Sequence, residues 1–136
     1  MSNPTDFEEE GAKIRVLLVD DHEAFLRAAT DFLRQHDELV IVGVATGGKE
    51  ALAQAQDLRP QVVLIDLRMA DLRGPEIISR LRAMLPEAGI IALTLLDPNT
   101  YRRPALAAGA DDLVSKANLS ADLLPAIRRV AQTVEE

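Results

Sequence analysis

The apolar run Val16-Leu17-Leu18-Val19 ends in Asp20-Asp21, and the run Val62-Val63-Leu64-Ile65 ends in Asp66. Two apolar segments that each close in carboxylates read as buried parallel strands delivering negative charge to one edge of a sheet. Carboxylates that meet there must repel each other, shift their pKa values or hold a cation. A hard divalent ion such as Mg2+ resolves the conflict, because it takes oxygen ligands and keeps waters and phosphate oxygens around it. Two further polar residues sit in matching places: Thr94 interrupts the run from Ile90 to Leu95, and Lys116 follows Leu113-Val114-Ser115.

The elements that must position these groups alternate between strand and helix patterns. Strand one is read over Ile14 to Asp20, and helix one over His22 to His36 with Phe25, Ala29, Phe32 and Leu33 on one face. Strand two is Leu39 to Ala45. Gly47-Gly48 opens helix two, where Leu52, Ala55 and Leu58 recur at helical spacing until Pro60 stops it. Strand three is Val62 to Leu67. Pro75 suits the first turn of helix three, whose Ile77, Leu81 and Leu85 face inward. Strand four is Ile90 to Leu95, and helix four spans Asn99 to Ala108 with Pro104 inside it, removing a backbone donor. Strand five is Leu113 to Ser115. Helix five starts near Ser120, a good N-cap, and carries Leu124, Ile127, Ala131 and Val134, with Pro125 just beyond its first turn. This alternation predicts a doubly wound α/β fold with right-handed crossovers. In such sheets ligands bind outside the carboxyl ends of the strands, where Asp20, Asp21, Asp66, Thr94 and Lys116 all fall.

Composition narrows the classes. The 136 residues fit one domain, and 48% are hydrophobic but only 3% aromatic, so the core must come from Val, Leu, Ile and Ala. The chain has no Cys, which excludes a disulfide framework, a thiolate metal site and a Cys nucleophile, and suits a cytoplasmic location. No apolar run has the length of a membrane span, and the acidic start is not a signal peptide. Residues 1–13, with Glu8-Glu9-Glu10-Gly11, read as a flexible acidic tail before a domain over 14–136. A formal net charge of −7 makes the chain a poor DNA binder by itself. The pairs Arg102-Arg103 and Arg128-Arg129 are too short for a basic stripe. His22, after the acid pair, reads as a capping or loop residue, and His36 as a partner for the negative end of helix one. Neither reads as a metal ligand. Gly47-Gly48 lacks the glycines and Lys of a phosphate loop and reads as a turn.

The set Val-Leu-Leu-Val-Asp20-Asp21-His22, Val-Leu-Ile-Asp66-Leu-Arg-Met69, Gly74, Ala92-Leu93-Thr94, Ala107-Ala108-Gly109-Ala110-Asp111-Asp112 and Val114-Ser115-Lys116 resembles the receiver domain of two-component response regulators. The resemblance covers Lys13 to Val134. It implies the flavodoxin-like receiver fold, a five-stranded parallel sheet of order 2-1-3-4-5. His22, and the absence of Pro after Lys116, lean towards the subfamily whose receivers often precede a helix-turn-helix output domain. By this resemblance Asp66 is the nucleophile that takes a phosphoryl group from a phosphohistidine on a sensor histidine kinase or phosphotransfer protein, or from a small phosphodonor. Asp20, Asp21 and Asp66, with the backbone carbonyl of Arg68, hold Mg2+, which is most of what phosphoryl transfer needs from a protein. Lys116 pairs with a phosphoryl oxygen as a compact point charge. Thr94 donates its hydroxyl to the phosphoryl group and draws the following loop inward. The domain is then no classical enzyme: it catalyses its own phosphorylation and a slow self-dephosphorylation. It signals through helix four, strand five and helix five, by pairing with itself as a homodimer or with a partner.

Ordinary roles compete with these. Asp66 could cap the loop after its strand, Asp20-Asp21 could be a solvated turn, Thr94 an ordinary β-branched strand residue and Lys116 surface decoration. The pattern also departs from the family: Leu113 stands where strand five usually has an aromatic, Leu95 where a small residue follows the switch Thr, and Ala70 where Pro is common. Those departures favour an alternative of another class, a receiver-like interaction module that signals without phosphorylation. A third reading, a Mg2+-dependent aspartyl phosphatase, generally needs an acid two residues beyond the nucleophile, where this chain has Arg68.

Overall fold

In the computed structural model, which describes residues 13–135, the chain opens with β1 (Ile14–Val19), whose last four residues are fully buried. The expected acidic tail, residues 1–13, lies outside the described residues except for Lys13. After β1 come α1 (Glu23–Arg34), β2 (Leu39–Ala45), α2 (Gly48–Leu58), β3 (Val62–Asp66), α3 (Gly74–Met84), β4 (Gly89–Thr94), α4 (Pro98–Ala108), β5 (Asp112–Ser115), a 3-10 turn (Lys116–Asn118) and α5 (Leu119–Glu135). The strands form one parallel sheet of order β2-β1-β3-β4-β5, as the resemblance implies. The order reverses between β1 and β3, so the crevice of the doubly wound sheet opens at the ends that carry Asp20 and Asp66.

Strand pleating assigns side chains to two cores. Leu17 and Val19 of β1, Val63 and Ile65 of β3, and Ile90 and Ala92 of β4 pack against α2, α3 and α4 through Ala51, Ala55, Ile77, Ile78, Leu81 and Ala105. Their alternates Val16, Leu18, Val62, Leu64, Ile91 and Leu93 pack on α1 and α5 through Leu26, Ala29, Leu33, Leu123, Ala126 and Ile127. Each such buried Leu or Ile contributes about 1.5–3 kcal/mol by leaving water. Both faces of the central strands are covered, which is why their sequences run apolar without alternation.

Helix faces and ends differ from expectation where tertiary contacts intervene. On α1 the inward line is Leu26, Ala29 and Leu33, with Phe25 and Phe32 half-buried at its edges. Helix α5 starts at Leu119, one residue before Ser120, but Ser120 is not its cap: the chain winds directly from the 3-10 turn into the helix, and Ser115 caps the 3-10 turn by accepting from the Ala117 amide at 3.2 Å. Pro104 and Pro125 both lie inside continuous helices. Arg82 is a hub that no sequence signal marked. Its guanidinium donates to the carbonyls of Gly109 (3.0 Å), Pro86 (3.1 Å) and Ala88 (2.6 Å) and pairs with Asp111 at 2.7 Å. Asp111 in turn accepts the amide of Ile90, the second residue of β4, at 2.8 Å. One planar fork thus ties α3, the start of β4 and the end of α4 together at the end of the sheet opposite the crevice.

Candidate functional site

Register carries the polar residues to one place. Val19 pairs with Ile65, so Asp20 and Asp66 are the next residues along neighbouring strands. Asp66 pairs with Leu93, which puts Thr94 one step beyond it, and Thr94 pairs with Ser115, which puts Lys116 one step beyond that. The open pocket at these strand ends, of about 540 Å³, is lined by Asp21, His22, Asp66, Arg68, Met69, Thr94, Leu95, Leu96 and Lys116.

Four polar residues are buried here: Asp20, Asp66, Thr94 and Lys116. The Lys116 ammonium donates to Asp20 Oδ2 at 2.5 Å and lies 3.5 Å from Asp66 Oδ1. It also sits 4.1 Å over the centre of the Phe25 ring, a cation–π contact that sequence reading, which saw Phe25 only as core, missed. Burial pushes the Asp66 carboxyl above its ordinary pKa, and Asp20 adds to the rise, while Lys116 and the Arg68 amide act against it. Asp66 Oδ2 is buried with no hydrogen-bond partner, and so is Asp21 Oδ1. Buried orphan acceptors carry a desolvation cost that a ligand removes. Three carboxylates against one ammonium also leave a local charge that a divalent cation cancels. Asp20, Asp21, His22 and Asp66 each turn one candidate ligand atom into a cluster spanning at most 4.8 Å. The acidic cluster can therefore hold a metal ion, and its carboxylate donors suit a hard one.

The loop after β3 is held over this cluster by three contacts. Gly74 donates its amide to the Leu67 carbonyl at 3.2 Å, and a Cβ on Gly74 would lie 2.5 Å from that oxygen. Only glycine allows the loop to close so tightly. Asp71 accepts from the first amides of α2, Gly48 at 2.8 Å and Lys49 at 3.1 Å, which holds its carboxyl below the ordinary range. Ala70 donates its amide to Asp21 Oδ2 at 3.2 Å. Proline, common at this position in the resembled family, has no such hydrogen, so this departure ties the loop to the acid pair directly. Exposed Arg68 pairs as an isolated antiparallel bridge with Arg73.

Thr94 Oγ1 accepts from the Leu96 amide at 3.0 Å, an arrangement that leaves the hydroxyl proton for donation. Leu95 is 71% exposed at the pocket mouth and Leu113 is buried. His22 is the N-cap of α1, as its position suggested, but its side chain makes no capping bond. Its backbone amide donates to Asp20 Oδ1 at 2.9 Å, and this short turn folds the ring back over the acids. Nδ1 stands 3.1 Å from Asp20 Oδ1 and 3.1 Å from Asp21 Oδ1, the second contact without hydrogen-bond alignment. Sequence reading placed His22 outside the metal cluster; the turn brings it in. His36 stacks edge-on against Phe32 with ring centres 5.0 Å apart, far from the site in the fold.

A family model for the response regulator receiver domain matches residues 16–128. The response regulator protein VraR of Staphylococcus aureus is 35% identical over 121 residues, covering 88% of this chain and 57% of that protein. The chain therefore spans little more than half the length of that relative. Among solved structures, the response regulator domain of Thermotoga maritima CheB is 30% identical with a TM-score of 0.78, over 88% of this chain and 97% of that one. A LuxR-family two-component response regulator from Aurantimonas is 25% identical with a TM-score of 0.83, over 88% of this chain and 86% of that one. Among the described residues no helix is long and apolar enough to cross a membrane. Sequence motifs, strand order and the acidic pocket agree with these matches: the chain belongs to the receiver domains of two-component response regulators, a family that pairs with histidine kinases.

Proposed function

We propose that this domain is a phosphoacceptor switch: Asp66 takes a phosphoryl group from a histidine kinase or phosphotransfer protein, with Mg2+ held by Asp20, Asp21, Asp66 and the backbone carbonyl of Arg68. The observation that carries the reading is the buried Asp66 carboxylate, with one oxygen lacking any partner and the other 3.5 Å from Lys116. An Asp66 oxygen attacks phosphorus in line. The new P–O bond forms as the P–N bond of the phosphohistidine breaks, and the leaving imidazole keeps the electron pair and takes a proton. Bound Mg2+ supplies neutralisation of the phosphoryl charge. Lys116, already between Asp20 and Asp66, moves its charge onto a phosphoryl oxygen. Thr94 gives up the Leu96 amide and donates its hydroxyl to the phosphoryl group, which draws the β4–α4 loop inward. The face of α4, β5 and α5 then changes towards its partner, a second copy or an output module. Cytoplasmic placement and the absence of DNA binding by this domain alone follow from the same reading.

Intact mass after incubation with Mg2+ and acetyl phosphate is the test. One phosphoryl group is expected on the wild type and none on Asp66→Asn, whose amide is no nucleophile. Undiminished labelling of the Asn variant contradicts the assignment. An unlabelled wild type would favour the interaction module that signals without phosphorylation, for which Leu95 and Leu113 speak.

A further inference from the structure

We propose that His22 is a nitrogen ligand of the divalent cation in the acidic pocket, and that it shifts the site's preference from Mg2+ towards borderline ions such as Co2+. The inference rests on the metal-dependent reading above and adds a residue to it. It starts from spacing. An octahedral ion with bonds of about 2.0–2.1 Å sets neighbouring ligand atoms about 3 Å apart. His22 Nδ1 stands at 3.1 Å from Asp20 Oδ1, where it also makes a hydrogen bond, and at 3.1 Å from Asp21 Oδ1, the spacing of two edges of such an octahedron. The buried, unpartnered Asp66 Oδ2 is an independent sign of a missing positive partner within the same cluster.

The backbone favours this placement. The His22 amide bond to Asp20 Oδ1 curls the chain at the start of α1, and the ring lies against the acids with Nδ1 at hydrogen-bond distance from the same oxygen. The ring is 63% exposed, so it can pivot by the few tenths of an ångström that metal bonding needs without disturbing the core. Nδ1 as ligand leaves Nε2 facing out of the cluster, carrying the proton of the neutral tautomer.

Chemistry gives the consequence. Carboxylate, carbonyl and water donors suit Mg2+, whereas an imidazole donor favours later first-row ions. A site of three carboxylates plus one imidazole is thus mixed, and the imidazole is what discriminates. The competing role for the ring is that of a counter-ion, an imidazolium that merely neutralises the acids and is expelled when a metal enters. The two roles predict opposite effects of removing it: a lost ligand weakens Co2+ binding most and Mg2+ binding least, while a lost counter-ion strengthens binding of every divalent ion alike.

The test uses the whole chain. Mn2+ is bound to the wild type and to His22→Ala, pulsed EPR is used to detect directly bound nitrogen, and calorimetry gives Mg2+, Mn2+ and Co2+ affinities for both. Circular dichroism checks that the exposed substitution leaves the fold intact. Expected are imidazole nitrogen coupling in the wild type and none in His22→Ala. Co2+ affinity should fall about tenfold or more, at least the cost of losing an outer-shell partner, with Mg2+ affinity little changed. His22→Gln, which offers an oxygen instead, should keep the Mg2+-like selectivity of His22→Ala and likewise lack the imidazole coupling. Mn2+ bound without nitrogen coupling, or equal changes for all three ions, overturns the role of His22 and leaves the three-carboxylate site standing. A wild type that binds none of the ions overturns that site as well.

Discussion

At the residue scale, the lifetime of the proposed Asp66 phosphate would depend on whether water reaches phosphorus in line. Arg68, Leu95 and Leu96 line the approach to Asp66. An Arg can lie against phosphoryl oxygens through charge-assisted hydrogen bonds, and Leu offers no group to orient water. Self-dephosphorylation should therefore be slow. The double variant Arg68→Asn, Leu96→Glu should decay faster, on the order of tenfold, less than the 10²-fold or more of a well-aligned general base. The measurement is loss of the phosphorylated mass with time, and equal or slower decay in the variant would show that these side chains do not set the lifetime. Leu95, exposed at the mouth rather than packed, should slow loading by large donors more than by acetyl phosphate.

At the element scale, α4 should be the least protected helix of the proposed signalling face. It buries only Ala105, against Gly74, Ile77, Ile78 and Leu81 in α3, and it contains Pro104. A proline in a helix interior removes one hydrogen bond and costs about 3 kcal/mol or more. Amide exchange should therefore be faster across α4 than across α3, and equal protection of the two would refute the argument. What restrains α4 is an ion cluster: Arg102 reaches Asp112 at 3.1 Å and the Leu113 carbonyl at 3.3 Å, while Arg129 of α5 reaches Asp112 at 2.8 Å. Partial burial tends to raise the Asp112 pKa, but Arg129, the Leu113 amide and Arg102 outweigh it and lower the value below the ordinary 3.8. The folded state therefore binds the proton more weakly than the unfolded chain. The stabilisation is fully present above pH 3.8 and is lost as pH falls through the lower, folded-state pKa. Urea unfolding between neutral pH and pH 3 should show a smaller acid loss for Asp112→Asn than for the wild type. The same variant should loosen α4 further in exchange.

At the scale of the molecule, the sheet brings three carboxylates and one buried ammonium to a single edge. Ion binding there should stabilise the fold through linkage, by about 2.7 kcal/mol when the ion is at a hundred times its Kd. Adding millimolar Mg2+ should thus raise the melting temperature of the wild type and leave Asp66→Ala nearly unmoved. An unshifted wild-type curve would count against a shared metal site. Leu67 to Gly74 closes over that edge because Asp71, Ala70 and Gly74 anchor it to α2, Asp21 and β3, so the crevice is held from both sides.

The sequence by itself determined the alternation of elements, because strands buried on both faces must be written as unbroken Val, Leu and Ile. It also placed Asp20, Asp21, Asp66, Thr94 and Lys116 at strand ends, because each closes or interrupts such a run. Strand two was legible to the residue. What it left undecided were contacts between residues far apart in the chain. Which strand face meets α2, α3 and α4, and which meets α1 and α5, depends on pleat and crossover geometry rather than on composition. Lys116 over Phe25, Asp71 on the start of α2 and the Arg82 fork each join elements at least 20 residues apart, and no local pattern encodes them. The cap of α5 escaped for the same reason: Ser120 is a good cap by type, but the chain already turns at Lys116, with Ser115 as the cap of that turn. From its neighbours in sequence His22 reads as a capping or loop residue, and it is the N-cap residue of α1. The turn at Asp20 puts its ring among the acids, and only the folded backbone could decide that.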